Sequence, residues 1–137
     1  RFKDHWQYTD DELEHLFETF RLKPGFFSHE AHIRLAYIHI TKYGRATAEQ
    51  HMCDQIKGYA ASLGATMKFN KTVTIASVKI LDHHIRMGRS TDFKGLIAEF
   101  PELLADFRGL VSKHYGFNVF ADKQAKQVYI EPDLEPF

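Results

Sequence analysis

Histidine is the residue type with the clearest chemical potential here, and three histidines lie within FSHEAHIRLAYIHITKYG, residues 27–44. His29 and His32 are three residues apart, so a helix would place them on one face. Two imidazoles at that spacing can bind one transition metal ion such as zinc or iron, if a third ligand is near. Neutral imidazole can also act as a general base. His32 and His29 are therefore the catalytic candidates and two of three candidate metal ligands.

The other histidines extend this pattern. On helical wheels of about 100° per residue, five of the nine histidines point toward the core: His29, His32, His39, His84 and His114. One buried imidazole is usually satisfied by a carbonyl or a water molecule. Five buried together are explained more economically by a polar cavity that holds a ligand or a metal.

The predicted helices also place these side chains at different heights. If helices 28–43 and 71–87 point the same way, their first turns lie at one end of the bundle. A descending helix 101–115 would end there too, bringing His114 in as the third metal ligand. His39 lies about 10 Å above His32, too far to share its metal. The ligand-binding candidates are then Asn70, Thr72, Thr74, His114 and Tyr115, with His84 and His39 higher in the bundle.

Capping signals predict where the helices lie. Thr9 and Glu12 form a capping box, Ser28 can cap helix 28–43, and Gly44 should end it. A second box at Thr47 predicts a helix that ends at Gly64. The remaining predicted helices are 71–87, a short one capped by Thr91 that reaches Phe100, then 101–115 and 122–129. We therefore expect an all-α fold: a single domain, 1–137, with five to six helices, short loops and an extended C-terminal tail.

Composition excludes several classes of function. Lysine plus arginine and aspartate plus glutamate both number 18, so the chain carries no overall charge that favours nucleic acid or an anionic membrane. No apolar run approaches the roughly 18 residues of a membrane span. The single cysteine, Cys53, excludes an internal disulfide and favours a cytoplasmic location. The 12 phenylalanines can build a core and could also supply the face of a homo-oligomer.

Four motifs occur in a familiar order: HxxHIRLAY at 29–37, KFNKTVT at 68–74, HY at 114–115 and EPDLxPF at 131–137. This pattern resembles a family of small, mostly bacterial, all-helical hypothetical proteins, and the resemblance covers nearly the whole chain. It implies no particular reaction. Many relatives have a histidine at the position of Asn70, and asparagine is a poorer metal ligand. This departure favours hydrogen bonding to an organic molecule over metal binding.

Two functions are compatible with these residues. In the first, the protein binds a small polar or aromatic molecule, and could be an enzyme, through a histidine-lined pocket between the starts of helices 28–43 and 71–87 and the end of helix 101–115. In the second, it is a non-catalytic structural or interaction module. Its histidines would then tie the helix ends and the EPDLEPF tail to the bundle, with Glu131 and Asp133 as acceptors.

Overall fold

The computed structural model describes residues 4–137, and within that range the chain forms α-helices and no strand. In chain order the helices are α1 (Asp10–Glu18), α2 (His29–Tyr43), α3 (Arg45–Ser62), α4 (Lys71–Met87), α5 (Phe93–Glu99), α6 (Glu102–Ala105), α7 (Phe107–Ser112) and α8 (Lys123–Gln127). Three short 3-10 turns lie at His5–Gln7, Pro24–Phe26 and Thr66–Lys68. The predicted all-α bundle is confirmed.

Helices α2, α3 and α4 form the centre of the bundle. Gly44, with φ of +88°, ends α2 and immediately precedes α3, and glycine adopts this backbone conformation without steric cost. The core between the three helices contains fully buried Ile33, Met52, Val78 and Leu81. Within the described range, no helix combines the length and the apolar character needed to cross a membrane.

Two predicted helix starts differ from the structure. Helix α3 begins at Arg45, so the predicted capping box at Thr47 is wrong; the N–H of Ala48 donates to the carbonyl oxygen of Gly44 at 2.9 Å. Because Gly44 already reverses the chain, the helix starts directly after it. The cap of α5 is Asp92 rather than Thr91, since the Asp92 carboxylate accepts the Gly95 N–H at 2.8 Å.

The predicted helix 101–115 is two short helices instead of one. Asp106 has φ of −150° and ψ of 53°, outside the helical region, and it separates α6 from α7. Its carboxylate accepts the Gly109 N–H at 3.1 Å and so caps α7. Aspartate competes with the helical backbone for such hydrogen bonds, which explains the break. Helix α7 ends at Ser112, so His114 lies beyond it.

The C-terminal segment after α8 forms neither helix nor strand, and it lies against the bundle. The Tyr115 hydroxyl donates to the Ile130 carbonyl oxygen at 2.8 Å. Further along, the Leu134 N–H donates to the His114 carbonyl oxygen at 3.1 Å, and the Gly116 N–H donates to the Asp133 carboxylate at 2.8 Å. These bonds place the tail next to the loop that follows α7.

Candidate functional site

His29 was expected to point into the core, and the structure shows it exposed. Its Nε2 lies 2.9 Å from the carbonyl oxygen of Leu103, and its ring centroid lies 5.5 Å from that of Phe107. The break after α6 leaves the Leu103 oxygen without a backbone N–H donor within residues 4–137. His29 therefore donates its Nε2–H to a carbonyl that the break has freed.

His32 is half-buried and lies against the ring of Phe27, with centroids 5.5 Å apart. Burial, helped by the neighbouring His29, lowers the pKa of His32 to about 4. The imidazole is therefore neutral at neutral pH, which is the form needed in a general base or a metal ligand. The two catalytic candidates do lie beside each other, at the start of α2.

The proposed third metal ligand is not at that end of the bundle. Within the described chain, no three His, Cys, Asp or Glu side chains are arranged to hold a metal ion. The predicted grouping of His114 with His29 and His32 is therefore wrong. It depended on a continuous helix 101–115, and the break at Asp106 sends His114 elsewhere.

The three polar residues at the start of α4 bond to the protein's own backbone. Asn70 accepts the Val73 N–H at 3.0 Å and donates its Nδ2–H to the Val119 carbonyl oxygen at 2.9 Å. Thr74 donates to the carbonyl oxygen of Asn70 at 2.8 Å.

Thr72 is the clearest case of such bonding. Its hydroxyl donates to the Val128 carbonyl oxygen at 2.7 Å and accepts the Ile130 N–H at 3.1 Å. Both hydrogen bonds are made with the backbone of the segment after α8, so the Thr72 side chain holds that segment against α4.

His39 is almost completely buried, with 1% of its surface exposed. Its Nδ1 lies 3.0 Å from Nδ1 of His51, so one of these two nitrogens donates to the other. Nε2 of His39 has no hydrogen-bond partner among residues 4–137. Burial is the main reason that the pKa of His39 falls to about 4, although the carboxylate of Glu14 opposes the shift.

Two of the predicted histidines, His84 and His114, line one cavity of about 490 Å³. We call it the histidine cavity. It lies between the second half of α4, the helices α6 and α7, and the tail, and its other lining residues include Glu102, Leu110, Lys113 and Phe137. His29 and His32 are not part of its lining.

Backbone carbonyls fix the tautomer of two rings that line the histidine cavity, those of His84 and His114. Nδ1 of His84 lies 2.8 Å from the Ile80 oxygen, and Nδ1 of His114 lies 2.7 Å from the Glu135 oxygen. A carbonyl oxygen only accepts, so Nδ1 carries the proton in each ring. When the ring is neutral, its Nε2 keeps a lone pair. Nε2 of His84 lies 3.7 Å from a carboxylate oxygen of Glu102.

The charged groups around this cavity nearly balance. Lys79 lies 3.3 Å from Glu49, and Arg86 lies 2.9 Å from Asp82. Lys113 has no carboxylate within 4.0 Å among the described residues. The lining therefore includes the Nε2 atoms of His84 and His114 and the ammonium group of Lys113, together with the ring of His83.

Sequence reasoning missed the residues that complete the histidine cavity. Glu102 and Lys113 come from residues 101–115, which the sequence predicts as one helix, and Phe137 comes from the tail. The only available signal was the EPDLEPF motif, which pointed to the tail but not to its position.

The chain matches no protein-family model, and no curated protein or solved structure matches it either. The resemblance to small bacterial helical proteins therefore stays a prediction, and the case for function rests on the histidines and the cavities described above.

Proposed function

We propose that the protein binds a small polar or aromatic molecule in the histidine cavity. The observation that carries this proposal is the pair of Nε2 atoms on His84 and His114, both held as acceptors by backbone carbonyls around one cavity. A volume of about 490 Å³ lies in the range typical of small-molecule sites, roughly 300–1,000 Å³.

The lining groups define the chemistry of the bound molecule. A hydroxyl, phenol or amine can donate a hydrogen bond to either Nε2, and an acidic group can bind Lys113. Leu110 and Phe137 supply apolar surface for the rest of the molecule. We therefore expect an aromatic or aliphatic hydroxy acid or amino acid derivative in preference to a hydrocarbon.

Catalysis is a second step of this proposal. An Nε2 lone pair whose ring is oriented by a carbonyl is the arrangement that a general base requires. His84 and His114, whose Nδ1 atoms lie against backbone carbonyls, are the candidate bases in this cavity. His32, neutral and beside His29 at the start of α2, is the alternative. Buried Cys53 fits the cytoplasm that we propose as the location.

The interaction module is the second candidate function, and one group of contacts favours it. Asn70, Thr72, His114 and Tyr115 all bond to the backbone of residues 119–135, so these side chains hold the C-terminal segment in place. In this account the histidine cavity is a by-product of that attachment and binds nothing specifically.

Nuclear magnetic resonance of the imidazole nitrogens separates the two candidates. In the free protein we expect both His84 and His114 to be Nδ1–H tautomers, identified by long-range correlations between ring protons and nitrogens. Small hydroxy acids, phenols and amines are then titrated against the wild type, His114→Ala and the exposed control His15→Ala.

Binding that shifts the Nε2 signals of His84 and His114, and that is lost in His114→Ala but retained in His15→Ala, supports the small-molecule function. If no compound moves either signal, the structural module is the better account. A Nε2–H tautomer at both positions would remove the basis of the proposal.

A further inference from the structure

A second cavity, of about 700 Å³, lies at the opposite end of α4. Four lysines line it: Lys57 from α3, Lys71 from the start of α4, and Lys123 and Lys126 from α8. Among residues 4–137, the only carboxylate in its lining is that of Asp54. We call it the lysine cavity. Lys71 and His84 are separated by about 20 Å along α4, so the two cavities are distinct.

The four ammonium groups of the lysine cavity lack acidic partners. Among residues 4–137, none of them lies within 4.0 Å of a carboxylate oxygen, whereas Lys42 lies 2.6 Å from Glu14. Lys126 makes one bond, to the carbonyl oxygen of Met67 at 3.2 Å. The chain as a whole carries no net charge, so this concentration of positive charge is local.

The start of α4 adds to the positive potential there. Phe69 and Lys71, on either side of the N-cap Asn70, both line the cavity. A helix of 17 residues carries partial positive charge at this end. Asn70 and its backbone take up the N–H groups of Val73 and Thr74, but those of Lys71 and Thr72 have no acceptor within the described chain. An anion in the cavity would reduce the mutual repulsion of the lysines. It would also compensate the partial positive charge at the start of α4.

The lining also contains two large apolar side chains, Met67 and Phe69. Met67 is 80% exposed, an unusual degree for so large an apolar side chain, and Phe69 lies beside it in the lining. An occupant with an apolar portion would cover Met67 while its charged groups bind the lysines.

We infer that the lysine cavity binds a small organic molecule that carries at least two closely spaced anionic groups, phosphate or carboxylate. Its concave shape and the neutral charge of the whole chain favour such a molecule over a nucleic acid strand, which needs an extended basic surface. This site is independent of the function proposed for the histidine cavity.

The test uses pyrophosphate, citrate and adenosine diphosphate as probes, with amide signals read in a titration at low salt. The variants are Lys57→Ala and Lys123→Ala, because both lysines are exposed and their loss leaves the core intact. Lys23→Ala is the matched control, since Lys23 is exposed and lies outside this cavity. Circular dichroism melting establishes that each variant folds.

We expect pyrophosphate or citrate to shift the amide signals of residues 57, 66–71 and 123–127, and added salt to weaken binding. Whichever of these two probes binds more tightly identifies the preferred anionic group. Adenosine diphosphate should bind more tightly than pyrophosphate if its base covers Met67. Each cavity variant should lower the affinity about tenfold, whereas Lys23→Ala should not change it.

Three results would overturn the inference. The first is the absence of any shift with all three probes at millimolar concentration. The second is an equal loss of affinity in Lys23→Ala and in the cavity variants, which would show general electrostatic attraction. The third is tighter binding of a DNA duplex through the same lysines. Signals of His84 and His114 report on the other cavity, so failure of one proposal does not imply failure of the other.

Discussion

The ring of His114 stacks on the ring of Phe137 with centroids 4.1 Å apart, while its Nδ1–H donates to the carbonyl oxygen of Glu135 at 2.7 Å. One side chain thus contacts the tail through its face and through its edge. The same ring lines the histidine cavity, so the attachment of the tail and the shape of that cavity depend on one residue.

His114→Ala should therefore detach the end of the tail. Loss of one hydrogen bond and one aromatic contact predicts a decrease of about 1–2 kcal/mol in the free energy of unfolding. Urea denaturation measures this change. His15→Ala, at an exposed position, should stay within about 0.5 kcal/mol of the wild type. Equal stability of both variants would show that the two tail contacts of the His114 side chain add nothing to the fold.

Stability should also depend on pH through His39 and His32, whose pKa values both fall to about 4. The unfolded chain takes up protons near an ordinary histidine pKa of about 6.5, and the folded protein does not. The free energy of unfolding therefore has its full value, as far as these two groups are concerned, above about pH 6.5. It decreases as the pH falls from there to about 4. For His39 the loss is roughly 3 kcal/mol; His32, partly in contact with water, contributes less.

His39→Phe tests this pH dependence, because phenylalanine fills a similar volume and does not titrate. Denaturation in urea at several pH values should give a shallower decrease on acidification than in the wild type. His15→Phe, in which the lost histidine is exposed, should retain the wild-type slope. An unchanged slope in His39→Phe would mean that this residue already accepts a proton in the folded state.

Arg34 should be the most costly charged residue to remove. It is 3% exposed, and its guanidinium donates to the Asp10 carboxylate and to the carbonyl oxygens of His5 and Tyr8, all at 2.8–3.1 Å. Arg34→Ala leaves these acceptors without their donor, and we expect a loss of about 2–4 kcal/mol, because the Asp10 carboxylate stays in contact with water.

The single tryptophan, Trp6, reports on this change directly, because the Arg34 guanidinium lies 4.5 Å from its ring. Its fluorescence should move toward that of a water-exposed indole in Arg34→Ala. Arg21→Ala, at an exposed position, is the control. Unchanged Trp6 fluorescence would contradict the role of Arg34 as the anchor of the N-terminal turn.

Asn70 performs two functions that substitution can separate. Asn70→Asp keeps the acceptor that caps α4 but loses the donor to Val119, which should cost about 1 kcal/mol. Asn70→Ala loses both, and should cost about 2 kcal/mol. Ser28→Ala, which removes only a cap, provides the comparison. In thermal unfolding, wild-type stability of Asn70→Asp would show that the bond to Val119 contributes nothing, and equal effects of the two Asn70 variants would show the same for the cap.

Local signals in the sequence predicted structure best. The caps at Thr9 and Ser28 are present as predicted, because a cap depends on a side chain and backbone groups three residues away. The all-α class was predictable for the same reason, because helical periodicity is a property of each segment by itself.

Arrangements that depend on distant parts of the chain were not predictable. Arg34 is a charged residue of α2, and it is buried because the N-terminal turn, distant in sequence, folds over it. His29 is exposed, and His114 lines the same cavity as His84 instead of lying with His29 and His32, because the predicted helix 101–115 is broken at Asp106. The bundle was therefore foreseen, while the composition of its cavities was not.

The break at Asp106 leaves one side of the molecule built from short pieces. Helices α5, α6 and α7 have seven, four and six residues, and isolated helices below about 12 residues are only marginally stable in water. Their persistence depends on anchors such as Phe93, Leu103 and Val111 in the core. This segment should therefore open as a unit before the rest of the protein unfolds. Glu102 and Leu110 of this segment line the histidine cavity, so its local opening would be the route by which a molecule enters and leaves that cavity.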